Sequence, residues 1–438
     1  MFQTLANAWK IRELRNKLLY TLLILLIFRI GSAIPVPFVD VNAIVVPSEG
    51  PMQLVSLISG GGFSSATIFA LSITPYINAS IIIQLLTVAI PPLERLAKDG
   101  ENGRKKLGQI TRYVTVALGL LLGVAYYFML RNNYQAIDAS IAGTGWEFLA
   151  ATVIVLCFTA GSALIMWLGE QINEKGIGNG ISMLLLAGIL SGVDDGAAYL
   201  WQMFYDAGIL NGVPQYYIGV PIVLVLFVVM IGFIVFMTNA ERRIPVQYAK
   251  RVVGRKMYGG QNTFIPIKVN MSGVMPIILA VSILSLPSII AMFCGQTEAT
   301  WGWLDLFSSD NWLYSILYFV LIIAFSFFYV TIQYNPIEMA NNLRRNSGAI
   351  PGYRPGKPTS DYINRVLRKV TFIGAIFLGI VAVFPNLFSM AMTLFGAPAF
   401  AGIAIGGTSI MIVVSVAMET VQQIESQLMM RHYKGFLE

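Results

Sequence analysis

Long apolar runs alternate along this chain with short gaps that are basic, acidic or rich in Pro and Gly. Ten runs are long enough to cross a hydrocarbon core of about 30 Å. Their approximate limits are 18–37, 68–92, 109–130, 147–169, 181–200, 216–239, 271–293, 312–334, 370–390 and 402–422. The runs lack the strict alternation of a half-buried strand, and a spanning segment must satisfy its own backbone, so each predicts a helix. A basic start, Lys10, Arg12, Arg15 and Lys17, precedes the first run. That run is long, contains Arg29 and leads into Ile34-Pro35-Val36-Pro37, so it reads as a retained span rather than a cleaved leader.

One stretch breaks the pattern. From Leu54 to Pro92 the chain is apolar, but Ser59-Gly60-Gly61-Gly62 interrupts it. Three glycines each cost about 1 kcal/mol relative to alanine in a helix interior, which argues against one continuous helix. The pattern predicts a short half-inserted piece, a glycine hinge and a full span from about Ile68. Non-helical backbone at membrane depth survives only where protein buries it or water reaches it, so the break points to an internal cavity. Ile73 and Ile77, four apart, share a face of the following span. Asn78, Ser80 and Gln84 place polar groups on it.

Charge fixes an orientation. All but two of the 29 Lys and Arg fall at the ends of the chain or in alternate gaps, the exceptions being Arg29 and Arg131. The other gaps carry acids such as Asp40, Glu49, Asp194 and Glu298. By the positive-inside rule both termini are cytoplasmic, and a missed span would scramble the alternation. Two inside gaps exceed what orientation requires. Residues 240–269 mix basic and β-favouring residues and predict a hairpin turning at Tyr258-Gly259-Gly260. Residues 335–369 are rich in Pro and Gly. Both loops are expected to dock a partner.

Ten spans divide into halves of five, residues 1–210 and 211–438. Odd halves in one chain must have opposite topology, as inverted repeats do. The fold expected is an all-α membrane protein of ten transmembrane helices in two inverted five-helix halves.

The composition, 56% hydrophobic and 12% charged, excludes an ordinary soluble domain. The sequence has no nucleotide-binding phosphate loop and none of the common hydrolase or zinc motifs. Cys157 and Cys294 are too isolated to form a metal site. No catalytic set, metal or cofactor is expected. Arg29 is the one clear charge within a span, and its expected role is a buried structural cation bonded to carbonyls. An ion-coupled secondary transporter, the alternative function, would be expected to carry more charge inside the bundle. A passive conduit driven by partners fits better.

Several ordered motifs resemble the SecY/Sec61-alpha family, the channel subunits of Sec protein translocons. They are Phe28-Arg29-Ile30-Gly31-Ser32, Pro75-Tyr76-Ile77-Asn78-Ala79-Ser80, Trp167-Leu168-Gly169-Glu170-Gln171-Ile172, Gly176-Ile177-Gly178-Asn179-Gly180, Tyr248-Ala249-Lys250-Arg251, Pro351-Gly352-Tyr353-Arg354-Pro355-Gly356 and Gly406-Gly407-Thr408-Ser409. The resemblance covers essentially the whole chain. It implies a clamshell channel in the bacterial plasma (inner) membrane. The clamshell passes unfolded polypeptides across the membrane and releases membrane proteins sideways into lipid. The implied pore ring is Ile73, Ile77, Leu185, Ile278 and Ile412. The implied plug and hinge are Leu57, Ile58, Ser59, Gly60, Gly61, Gly62, Phe63, Ser64 and Ser65. A side gate between spans 2 and 7 would carry Asn78, Ser80, Gln84 and Asn270. Arg243, Arg251, Arg255 and Arg354 would dock a SecA motor ATPase or a ribosome. SecE-like and SecG-like membrane subunits, signal peptides, unfolded client polypeptides and membrane lipid complete the implied partners.

Overall fold

The computed structural model of the protein describes residues 9–44, 59–132, 134–138, 146–205, 214–248, 251–253, 256–258, 262–293, 302–307, 311–394 and 407–434. Helices lie over all ten expected segments: α1 (Arg12–Gly31), α2 (Thr74–Ala89) followed by the short α3 (Pro91–Lys98), α4 (Gly100–Asn132), α5 (Glu147–Lys175), α6 (Gly180–Ser191) followed by α7 (Val193–Gln202), α8 (Pro214–Asn239), α9 (Met275–Phe293), α10 (Trp312–Gln333) followed by α11 (Pro336–Arg345), α12 (Lys357–Leu394) and α13 (Gly407–Lys434). By length and composition, six candidate spans among the described residues can each cross a membrane. The number is seven if Thr74–Ala89 and Pro91–Ala97, bent by 107°, count as one span.

Local chemistry sets the boundaries. Helix α1 stops at Gly31, short of the expected limit at 37, because Pro35 and Pro37 lie just beyond and cannot extend the hydrogen-bonded ladder. Helix α2 starts at Thr74, six residues after the expected Ile68, with Pro75 in its first turn, where a missing N–H costs nothing. It ends at Ala89 ahead of Pro91 and Pro92, and there the chain turns into α3. Asparagine side chains cap α6 (Asn179), α10 (Asn311) and α11 (Asn335) by accepting from the first backbone N–H groups.

The helices pack in two sets. Within the first set α2 lies on α4, α4 on α5, α5 on α6, and α1 on α5 and α6; within the second α9 lies on α10, α10 on α12, α12 on α13, and α8 on α12 and α13. One buried cluster draws only on residues 36–158, with Tyr126, Leu130 and Phe158 at its centre. Another draws only on residues 227–418, around Tyr318, Ile322 and Val381. The sets meet where α6 packs on α13 and α4 on α9.

The expectation of an all-α fold fails outside the spans. Residues 241–268 form an antiparallel pair, β1 (Glu241–Tyr248) with β4 (Asn262–Lys268), and a small ribbon of β2 (Arg251–Val253) and β3 (Lys256–Tyr258). The hairpin was expected to turn at Tyr258-Gly259-Gly260. Tyr258 ends β3, Gly259 and Gly260 lie outside the described residues, and the ribbon pairs Val253 with Lys256. A third strand, β5 (Gly348–Ala349), comes from the other long loop and pairs with the end of β1, giving the order β4-β1-β5. Ile244 and Val246 point inward from β1 while Arg243, Pro245 and Gln247 point out, as a two-residue period requires. Beneath them Leu343, Ile350, Ile363 and Leu367 close a shared core, so the two loops form one body.

Candidate functional site

The five expected ring residues meet in a single apolar cluster between the two sets of helices. Ile73, Leu185 and Ile412 are at most 5% exposed, and the half-buried Ile77 and Ile278 pack against the same group. They arrive on four elements, the start of α2, the middle of α6, the start of α9 and the start of α13. Ile73 is the N-cap of α2, and the Ile77 N–H donates to its carbonyl (3.0 Å), which holds the two side chains one turn apart. Phe28 and Phe69, stacked at 5.9 Å, border the cluster.

Residues 59–73 run through successive turns beside this cluster. Leu57 and Ile58 lie outside the described residues; Ser59 to Ser65 do not. The glycines serve a left-handed turn, with φ of +66° at Gly60 and +82° at Gly61, where a Cβ would be strained. Only Gly61 of the three has open space around it. The segment is wound on itself: Thr67 N–H donates to the Gly62 carbonyl (2.9 Å) and Phe63 N–H to Ser59 Oγ (2.9 Å). Phe63 is buried and stacks on Tyr126 of α4 at 4.6 Å.

Side chains from α1 and α4 grip carbonyls of this segment. The Tyr126 hydroxyl donates to the Phe63 carbonyl. Arg29 Nη1 donates to the Gly60 carbonyl at 3.3 Å. The expectation that Arg29 is bonded to carbonyls therefore holds, but the expectation that it is buried does not, because it lies on an exposed face of α1. Sequence reasoning missed Tyr126. The available signal was a tyrosine inside an apolar span, whose hydroxyl needs a partner.

Among the expected gate residues, Asn78, Ser80 and Gln84 are half-buried on α2 and Asn270 is buried just before α9. The Oδ1 atoms of Asn78 and Asn270 are buried without a hydrogen bond among the described residues. On this side the described contact between the two sets is α4 against α9, with α2 beside α4.

The expected docking arginines fare unequally. Arg243 stands on the outer face of β1, paired with Glu241 (2.6 Å) and lying 4.7 Å over the Phe264 ring. Arg251 begins β2, and Arg255 lies outside the described residues. Arg354 is exposed on a loop turned by Gly352 (φ +85°) and Gly356 (φ +110°), and its carbonyl accepts from Thr359 Oγ1 at 2.8 Å. Tyr353 packs on Tyr362 at 4.3 Å, pinning that loop to α12.

Known proteins share both sequence and fold with this chain. The SecY family model matches residues 67–421. A protein translocase subunit SecY of Streptomyces coelicolor is 43% identical over 448 residues, all of each chain being covered. Among solved structures, a SecY channel matches with a TM-score of 0.65 at 20% identity, over 94% of this chain and 92% of that one; its plug domain is described as stabilising the closed state of the translocation channel and maintaining a membrane seal. Sec61 in a canine ribosome–channel complex matches with a TM-score of 0.61 at 19% identity, over 94% and 92%. On its sequence, and with a fold to match, the chain belongs to the SecY family.

Proposed function

We propose that this chain is the protein-conducting channel of a bacterial plasma membrane translocase, with its pore at the apolar ring and its plug at residues 57–65. The observation that carries this reading is the convergence of Ile73, Ile77, Leu185, Ile278 and Ile412, from both sets of helices, in one apolar cluster beside the turn-rich segment. Membership in the SecY family makes the chain a translocation channel and not an enzyme, and leaves the transporter alternative without support.

The chemistry suits an arbitrary cargo. A translocating polypeptide presents every side chain, so a pore that offered specific hydrogen bonds would hold some sequences too long. A ring of aliphatic side chains dewets and seals against ions, yet deforms around a chain and lets it go. The plug is held shut from two sides, by Arg29 on the Gly60 carbonyl and Tyr126 on the Phe63 carbonyl. The side gate runs along α2, α4 and α9. Its buried acceptors at Asn78 and Asn270 keep the closed seam from becoming a tight apolar seal. An unsatisfied buried polar group costs about 1–3 kcal/mol, which lowers the work of parting the helices.

The proposed topology has ten spans in two inverted halves, 1–210 and 211–438, with both termini cytoplasmic. The division of the buried clusters and the alternation of basic gaps support it. The sheet-bearing body built from 240–269 and 335–369 is then cytoplasmic and is the docking face. Its partners are a ribosome, as for the Sec61 relative, and a SecA motor, with SecE-like and SecG-like subunits beside the spans. The work comes from the docked partner.

The test is reconstitution. Vesicles containing this chain with a SecE-like subunit should import an unfolded secretory precursor when motor and ATP are added, and cross-linking α2 to α9 through paired cysteines should stop lateral insertion. Lateral insertion that continues unchanged through a fully cross-linked seam would overturn the gate. Saturable uptake of a small solute without precursor import would overturn the channel.

A further inference from the structure

A tyrosine hydroxyl lies unbonded in the core of the second set of helices. Tyr318 of α10 is 2% exposed, in one cluster with Ile277, Ala280 and Leu284 of α9 and Phe377 and Leu378 of α12. Its Oη has no hydrogen bond among the described residues, and Tyr314, whose ring stands 5.9 Å away, does not supply one. Other hydroxyls of α10 bond their own backbone: Ser326 Oγ donates to the Ile322 carbonyl (2.7 Å) and Thr331 Oγ1 to the Phe327 carbonyl (2.8 Å). A tyrosine hydroxyl stands too far from its own backbone for that, so its partner must come from a neighbouring element.

Helix α9 has the matching defect. Pro287 lies inside it, and proline has no N–H, so the Ile283 carbonyl lacks its helical donor. Ile277, Ala280 and Leu284 recur at spacings of three and four along the stripe that shares the cluster with Tyr318, and Pro287 continues that stripe. A helical carbonyl points along the axis toward the residue four ahead, so the freed Ile283 carbonyl opens beside Pro287 on this stripe. Depth agrees. Pro287 lies six residues before the end of α9 at Phe293, and Tyr318 six residues after the start of α10 at Trp312. The two helices are consecutive and packed on each other, so donor and acceptor lie at about the same level.

We propose that Tyr318 is a positioning residue for the gate: its hydroxyl, unbonded while α4 and α9 are in contact, donates to the Ile283 carbonyl when α9 shifts to open the seam. The inference rests on the reading of α2, α4 and α9 as the side gate. With the seam together, the buried hydroxyl goes unsatisfied, which penalises that arrangement. With the seam parted, hydroxyl and carbonyl satisfy each other. Apart from Tyr314, the other buried members of the cluster are apolar, so α9 shifts over them without breaking a side-chain hydrogen bond.

The test uses the whole chain with a SecE-like subunit in vesicles, a dye pair on α2 and α9, and a synthetic signal peptide as the opener. Energy transfer reports the ratio of parted to closed seams. Tyr318→Phe keeps the ring and loses only the hydroxyl. It should lower that ratio at least about fivefold, while the melting temperature of the resting protein in detergent falls no lower than the wild type's. Pro287→Ala restores the N–H that takes the Ile283 carbonyl and should lower the ratio as well. The double variant should be no worse than either single one, because the same bond is lost once. Losses that multiply in the double variant would mean two independent sites and overturn the pairing. A melting temperature lowered by Tyr318→Phe would mean that the hydroxyl is already satisfied at rest, and would overturn it too. A wild-type seam that never parts sinks the gate reading and this inference with it. A wild-type seam that parts, with Tyr318→Phe parting as readily, overturns this inference alone.

Discussion

At the residue scale, the proposed plug is held by polar contacts from α1 and α4, and Tyr126 is the most informative. Its hydroxyl bonds the Phe63 carbonyl while its ring packs between Phe63 and Phe158. Tyr126→Phe keeps the packing and removes only the bond. It should weaken closure by about 1 kcal/mol, roughly a fivefold rise in the fraction of time the resting channel conducts, read in planar bilayers. Arg29→Met should act in the same direction, since it frees the Gly60 carbonyl. If neither variant conducts more than the wild type, these contacts do not hold the plug. The sequence showed the glycine break and Arg29 but not the grip: a hydrogen bond from residue 126 to residue 63 depends on how α4 packs, which no local pattern records. It also suggested a glycine hinge, and here Gly60 and Gly61 form a left-handed turn with Gly60 and Gly62 closely packed.

At the element scale, the periodic parts of the fold were legible and the joints were not. The helices were marked by apolar length. The late start of α2 and the 107° bend into α3 follow from Pro75, Pro91 and Pro92, which an apolar run hides. The union of the two long loops was illegible for another reason. Strand β5 has two residues, and only its register on Gln247 and Tyr248 reveals it. That union predicts a shared stability. Ile244→Asp places a charge in a core fed by both loops and should expose each to protease together, with a cost of several kcal/mol to the body. Cleavage confined to 240–269 would mean the loops fold separately. Docking is a separate matter at this scale. Arg354 is held on a stiff loop, so Arg354→Lys keeps charge but loses the planar fork. It should impair motor binding and export while leaving insertion and topology intact; normal export would reduce the loop to bulk electrostatics.

At the scale of the whole molecule, the two sets of helices have separate cores and touch chiefly through α6 on α13, α4 on α9 and the cluster around the ring. Polar contacts also cross: the Gly178 N–H donates to Gln423 Oε1 (2.7 Å), just past the middle of α13. Two sets of helices with separate cores and a shared seam suit a structure that parts without unfolding either side. The seam was partly legible, because Ile73 and Ile77 share a spacing, but the arrival of Leu185, Ile278 and Ile412 beside them is long-range and came only with the resemblance to a known family. Replacing Ile77, Leu185 and Ile278 together with serine should make the resting channel leak ions. The most direct measurement is a photo-cross-linker placed at Leu185, in reconstituted vesicles with a precursor stalled halfway through motor-driven import. The account predicts that the cross-linker captures the stalled precursor, at whichever of its residues is held in the ring, and captures nothing without precursor. Efficient import with no capture at Leu185, while a linker elsewhere in the chain is labelled, would contradict it.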